Sequence, residues 1–203
     1  MVEVVKVFLD DVVYNFDGRQ VVMTVGTFDG VHLGHRKLIS TAITMAKEIG
    51  GDAVVYTFRP HPTSVTRAYD SKSMLCSSDE KYKILGSFDL ACILEQRFDQ
   101  AFSEVSSYDF IEFLRRKFPT LRTICVGEGF RFGHDRLGDT SILAGCAKRI
   151  GINVVVVPPL ILNGERVSSS KIRKLLDIND IRLANLMLGK DSQKACDSSE
   201  KSF

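Results

Sequence analysis

The sequence predicts an α/β fold with a doubly wound, parallel sheet of five strands. Two observations carry that prediction. The strand-length runs are short, β-branched and nearly continuous in hydrophobicity, as in strands buried on both faces, and each is separated from the next by a stretch of helical period.

The first strand is read at residues 20–26 (QVVMTVG), followed by a glycine-rich turn and a helix over 35–49. In that helix Leu38, Ile39, Ala42, Ile43 and Ala46 share one face, and Gly50 and Gly51 provide a stop. The second strand, 52–58 (DAVVYTF), leads through a long polar loop to a short helix over 78–88. Residues 89–95 (DLACILE) form the third, and the helix over 107–118 offers Phe110, Ile111, Phe113 and Leu114 to the core. The fourth strand is 121–127 (LRTICVG), and a helix over 139–150 precedes the fifth, 152–157 (INVVVV). Residues 1–18 are expected to add a strand or hairpin at an edge, and two short helices are expected over 169–176 and 179–188. One domain therefore spans 1–188, and the polar stretch 189–203 is expected to be disordered.

A chain of 203 residues suits one domain with a full hydrophobic core. Its 27 basic and 25 acidic residues nearly cancel, without a Lys/Arg block, which speaks against bulk nucleic acid or an anionic membrane surface as a partner. No run reaches the roughly 18 apolar residues of a spanning helix, and the start has no signal-peptide pattern, so a cytoplasmic protein is expected. The five cysteines, Cys76, Cys92, Cys125, Cys146 and Cys196, contain no CxxC pair and read as reduced thiols.

Ligands of open α/β sheets bind beyond the carboxyl ends of the strands. Four unusual segments follow strands there: GTFDGVHLGH (26–35), RPHP (59–62), GEGFRFGHDRLGD (127–139) and the loop ending in SSSKIR (168–173). Gly26, Gly30 and Gly34 are expected to permit positive φ and close approach of the backbone to a ligand, while the helix opening near His35 presents free N–H groups to an anion. His32 and His35, three apart, can face one side and donate to phosphate oxygens; taken alone they read equally as caps or surface residues. Asp29 is either a turn residue bonding its own backbone or a carboxylate near a metal-bound phosphate, the turn being the simpler reading. Arg59, Pro60, His61 and Pro62 read on physics alone as a rigid structural turn. Ser168 and Ser169 can cap a helix from which Arg173 projects about one turn later, a pattern that also fits a capped helix with a surface arginine.

In combination, GTFDGVHLGH, TFRPHP (57–62), VGEGFRFG (126–133) and VSSSKIR (167–173) resemble the adenylyltransferase module of bacterial bifunctional riboflavin kinase/FAD synthetases. HxGH alone marks the wider nucleotidylyltransferase superfamily, with its Rossmann-like fold; TFRPHP with GFRFG narrows the resemblance to the flavin branch. The similarity runs over about 20–189 and includes the helix with Asp79, Glu80 and Lys81. It implies transfer of AMP from Mg-ATP to FMN by direct in-line displacement, with pyrophosphate released. It further implies that His32, His35 and Arg173 are catalytic, and that Gly26, Thr27, Phe28, Asp29, Gly30, Gly34, Val126, Gly127, Ser168, Ser169 and Ser170 surround ATP. Arg59, Pro60, His61, Pro62, Phe130, Arg131 and Phe132 are implied for FMN, and Mg²⁺ is expected to arrive with ATP, no carboxylate cage being visible.

Two departures stand out. Gly129 occupies a position where the family usually has Asp or Asn. LMLGKDSQ (186–193) leads into a polar tail where bifunctional members continue into the kinase, so the expectation is a chain that adenylylates FMN without phosphorylating riboflavin. FMN is then expected from a separate riboflavin kinase or by uptake. The competing readings are a transferase with another phosphate acceptor and a flavin- or nucleotide-binding protein that has lost catalysis.

Overall fold

Strands that are apolar along their whole length need cover on both faces, and this one requirement organises the molecule. The computed structural model describes residues 2–66 and 74–190. Six strands, β1 (Glu3–Val7), β2 (Val21–Val25), β3 (Asp52–Arg59), β4 (Cys92–Arg97), β5 (Leu121–Gly127) and β6 (Asn153–Val157), form one sheet in the order β1-β4-β3-β2-β5-β6. Every neighbouring pair is parallel.

Helices α1 (Leu33–Glu48) and α3 (Ser78–Leu85) cover one face, and α5 (Ser107–Lys117) and α6 (Thr140–Arg149) the other. Because side chains alternate along a strand, each central strand feeds two cores. Val21, Met23 and Val25 of β2 join Tyr56, Leu94 and Ile124 against Phe110, Ile111, Leu114 and Leu143. Val22, Val55, Ile93 and Cys125 point the other way, against Leu38, Ile39, Ala42 and Leu85. Side-chain oxygens cap α5 at Ser106, α6 at Asp139 and α3 at Ser77.

The five expected strands are present, and the sheet has a sixth. Residues 3–7 form a single edge strand parallel to β4, not a hairpin. The third strand begins at Cys92 and not at 89, because Leu90 N–H bonds Phe88 C=O in a turn that closes the preceding helix. Three short elements carry too little periodicity to be read from sequence: α2 (Pro62–Thr66), α4 (Gln100–Ser103) and the β7 (Ile161–Leu162) and β8 (Glu165–Arg166) hairpin. The last two helices, α7 (Ser169–Asp177) and α8 (Ile181–Leu188), build a third cluster from Val167, Ile172, Leu175, Ala184 and Met187.

Cys76, Cys92, Cys125 and Cys146 are free thiols; burial pushes Cys92 and Cys125 up to about 12, which keeps them protonated. Cys196 and most of the expected tail lie outside the described residues. Among the described residues no helix is long and apolar enough to cross a membrane.

One polar contact inside the sheet gives a direct test of packing. Tyr56 Oη donates to Gln96 Oε1 at 2.7 Å, and neither residue has solvent exposure. Tyr56→Phe leaves that amide oxygen without its donor, so unfolding free energy is expected to fall by about 1–3 kcal/mol. Urea titration should show a lower midpoint with an unchanged slope.

Candidate active site

The chain winds outward from β2 to β3 and β4, then returns past β2 to β5 and β6. The crevice of such a sheet lies at the carboxyl ends of β2 and β5, where the order reverses. The turn from β2 into α1 fills that place.

Its backbone is unusual. Phe28 is left-handed at φ 51°, Gly30 lies at φ 74°, and Val31, a β-branched residue, at φ 37°. Phe28 and Val31 are fully buried, so the surrounding structure enforces conformations that cost of order 1–3 kcal/mol each. Of the three glycines expected to supply positive φ, only Gly30 does so. Gly34 serves another purpose: a Cβ there would lie 3.2 Å from both the His32 ring and Val167 C=O. At Gly26 a Cβ would press on the Phe28 ring at 3.2 Å. These two are small because protein packs against them.

The turn is held by groups distant in sequence. Asp29, 2% exposed, accepts from Leu75 N–H at 3.0 Å with one carboxylate oxygen and from the Arg173 guanidinium with the other. Among the described residues these carboxylate bonds run to distant partners, so Asp29 is a turn residue tied to other parts of the chain. Gly30 N–H donates to Cys76 Sγ at 3.2 Å, and Ser169 Oγ to Asp29 C=O at 3.3 Å. Arg36 Nε donates to Val31 C=O at 3.1 Å, and its Nη2 to Leu188 C=O at 3.2 Å.

His32 caps α1: its Nδ1 accepts from His35 N–H at 3.2 Å. A ring nitrogen that accepts is unprotonated, so the neutral ring carries its proton on Nε2. The two imidazoles stack with centroids 3.6 Å apart and planes 10° apart, and Phe28 meets the His35 ring edge-on at 5.2 Å. Burial lowers His32 to about 4, with the Arg173 charge adding to the shift. Burial first, then the charges of His32 and Lys81, hold His35 well below its ordinary value. Both rings are therefore neutral at pH 7. Among the described residues, His35 Nδ1 is buried without a hydrogen-bond partner.

Ser168 caps α7 by accepting from Lys171 N–H at 3.2 Å. The N-terminus of α7 abuts the turn through Ser169, Val167 and Arg173, so two helix N-termini converge on one region of positive potential. Ser170 is exposed in the first turn of α7.

Beyond β3 an open cleft of about 210 Å³ is lined by Asp29, Arg59, Pro60 and His61 together with Cys76, Lys81 and Tyr82. Pro62 opens α2 beside it. His61 Nδ1 shares a hydrogen bond of 2.7 Å with Thr63 Oγ1, and burial lowers the ring's affinity for a proton. Glu95, at the end of β4, accepts from the Tyr82 hydroxyl and lies 3.8 Å from Arg59 Nη1. Lys81, which the sequence pattern does not mark as a site residue, also reaches this cleft. Its Nζ donates to Thr27 C=O at 2.9 Å and Thr57 Oγ1 at 2.6 Å, and burial brings it down to about 8. The signal was a lysine four residues before the buried Leu85, on the core side of an otherwise amphipathic helix.

The segment after β5 is divided. Val126 is fully buried, whereas a Cβ at Gly127 would meet nothing within 4 Å, leaving open space over the strand end. Phe130 stacks on Phe132 at 5.4 Å, and Phe132 is buried against Phe110, so Phe132 supports the segment from the core. Arg131 pairs with Asp139 at 3.6 Å, and Gly129 lies beside Arg166. None of these residues lines the Arg59–His61 cleft. No group of three or more His, Cys, Asp or Glu among the described residues could hold a metal ion.

Comparison with known proteins supplies the family. The family model for FAD synthetase matches residues 15–171. A bifunctional riboflavin kinase/FMN adenylyltransferase of Buchnera aphidicola subsp. Acyrthosiphon pisum is 34% identical over 169 residues, covering 83% of this chain and 54% of the relative. The Escherichia coli K12 protein of that name is 30% identical over 168 residues with the same shares. This chain thus spans about half the length of these relatives. A FAD synthetase of Listeria monocytogenes is 30% identical over 176 residues, 86% of this chain and 71% of that protein. The crystal structure of a macrolide-efflux protein from Streptococcus pneumoniae matches with a TM-score of 0.75 at 21% identity, covering 91% of this chain and 60% of that one, a likeness of fold. With the family model matched across both the histidine turn and the start of α7, the chain belongs to the FAD synthetase family.

Proposed function

We propose that the protein transfers the AMP group of ATP to FMN, forming FAD and pyrophosphate. The observation that carries this reading is the pair of stacked, neutral histidines at the α1 N-terminus, facing the N-terminus of α7 and Arg173. In the reaction an oxygen of the FMN phosphate bonds to the α-phosphorus of ATP as the bond to the β-phosphate oxygen breaks. Pyrophosphate leaves with that electron pair, and no covalent link to the protein forms. The protein's share is alignment and stabilisation of spreading negative charge.

His32 suits this work because Nδ1 is engaged by the backbone, leaving Nε2–H as the donor. His35 brings a second ring and a buried nitrogen in want of a partner. Ser168, Ser169 and Ser170, at the α7 N-terminus, receive the triphosphate with Arg173, whose bond to Asp29 a phosphate must loosen or share. Arg59, Pro60, His61 and Pro62 bound the flavin side; Phe130 and Arg131, outside that cleft, are assigned to the part of the flavin that the cleft does not hold, with Phe132 supporting them from the core. Mg²⁺ enters with the ATP phosphates as part of the substrate. The substrates are small molecules of the cytoplasm, and the reaction is assigned there.

The direct test is incubation with Mg-ATP and FMN, separating FAD and measuring pyrophosphate; turnover of another phosphate acceptor in place of FMN overturns the assignment. His35→Ala removes one preorganised donor and is expected to lower kcat by roughly 10²- to 10³-fold. Single-turnover kinetics checks this, and turnover close to the wild type removes His35 from the mechanism.

Keeping His32 neutral has a stability signature. Its folded value of about 4 lies below its ordinary 6.5. Between these values the unfolded chain binds a proton that the folded chain does not, so stability is fully present above pH 6.5 and declines as pH falls towards 4. The slope is at most about 1.4 kcal/mol per pH unit for one group. His32→Gln is expected to flatten the fall in urea midpoint between pH 6.5 and 4.5, and an unchanged profile excludes His32 as its source.

A further inference from the structure

Lys81 is 8% exposed, and its hydrogen bonds go to two neutral oxygens, Thr27 C=O and Thr57 Oγ1. Among the described residues it enters no ion pair, in contrast to Lys117, the other buried lysine, which pairs with Asp10. An enclosed ammonium with no carboxylate in direct contact is unfavourable, and burial lowers its affinity for a proton although Cys76, Glu95 and Asp29 nearby act the other way. Two of its three donors are used; the third is available to an incoming anion.

The position of Nζ bears on which anion that would be. Thr27 begins the turn that carries His32 and His35, and Thr57 lies near the end of the strand that leads to Arg59, Pro60 and His61. Lys81 reaches this junction from α3 and lines the cleft on the Arg59–His61 side. Arg173 and the α7 N-terminus reach the same turn through Asp29. At about 210 Å³ the cleft falls below the roughly 300–1,000 Å³ of sites that enclose a whole ligand, so it takes part of one. Adenylyl transfer forces a phosphomonoester against a triphosphate, and the mutual repulsion of these anions is greatest at the point of contact. A cation at that point, beside Mg²⁺ and Arg173 on the triphosphate, offsets the repulsion.

Resting on the adenylyl transfer proposed above, we infer that Lys81 is a catalytic residue that contacts the phosphomonoester of the acceptor and screens it from the triphosphate. Thr27 and Thr57 hold the ammonium at the junction of the two substrate sides, and the acceptor phosphate completes its coordination.

The test compares two flavins that differ only in the phosphate. FMN and riboflavin are titrated by flavin fluorescence against wild type, Lys81→Met and Lys81→Arg, with Mg-ATP binding measured separately. Lys81→Met is expected to weaken FMN binding by about 10- to 100-fold, the range for losing a charge-assisted contact. Riboflavin and ATP should change less than twofold, and Lys81→Arg should recover most of the FMN loss. Equal weakening of FMN and riboflavin overturns the inference, because it marks Lys81 as a structural tie between strand ends. Weakened ATP with unchanged FMN also overturns it, by assigning the charge to the other substrate. Should circular dichroism show that Lys81→Met does not fold, Lys81→Gln carries the same comparison. A wild type that forms no FAD defeats the adenylyl-transfer reading itself; a wild type that forms FAD, with FMN affinity unmoved in the variants, defeats the role of Lys81 alone.

Discussion

The buried carboxylate of Asp29 is the contact on which the arrangement of the crevice rests. It sits in a turn whose neighbours, Phe28 and Val31, hold conformations that an isolated peptide would abandon. One oxygen fixes Leu75, and the other fixes Arg173, a residue of a helix far along the chain. Enclosing a carboxylate is tolerable only when its lone pairs are filled by good donors, and here a guanidinium and an amide fill them. The same contact therefore settles the shape of the turn, the docking of α7 and the direction of a cation. Loss of the carboxylate would disturb all three together.

How far sequence could be read depended on the range of the interaction. The central strands were legible because residues such as Val21, Val22 and Met23 declare burial on both faces locally, and α1 because Leu38, Ile39 and Ala42 declare a single stripe. The histidine turn, the arginine of α7 and the polar cleft after β3 were legible as segments following strands. Their connections were not: Asp29 meets Leu75 and Arg173 across 46 and 144 positions, and nothing in the local pattern specifies either partner. The glycines illustrate the same limit. Gly26 and Gly34 looked like hinges of backbone freedom, yet they are small to admit the rings of Phe28 and His32. Lys81 hid because its helix is amphipathic, and a charged residue in such a helix reads as solvated until the opposite wall is known.

The polar groups around the crevice are packed as a layer over the strand ends, and the hydrophobic cores stop beneath them. Thr57, Glu95 and Gln96 are all buried at the ends of β3 and β4, each with a partner: an ammonium, a phenol and a second phenol. Such a layer is stable only while fully connected, since each member left alone in a low-dielectric setting is unfavourable. Burial beneath this layer keeps the two stacked histidine rings uncharged, and the cap bond to His32 Nδ1 sets its Nε2–H in advance of any ligand.

Arg36 adds a mechanical consequence. Its guanidinium grips the carbonyl of Val31 with one nitrogen and the carbonyl of Leu188, in the last turn of α8, with another. The far end of the described chain is thus tethered to the most contorted residue of the histidine turn. A shift of α8 is therefore passed to the residues before His32 by this guanidinium and by Leu188, which packs over Gly30.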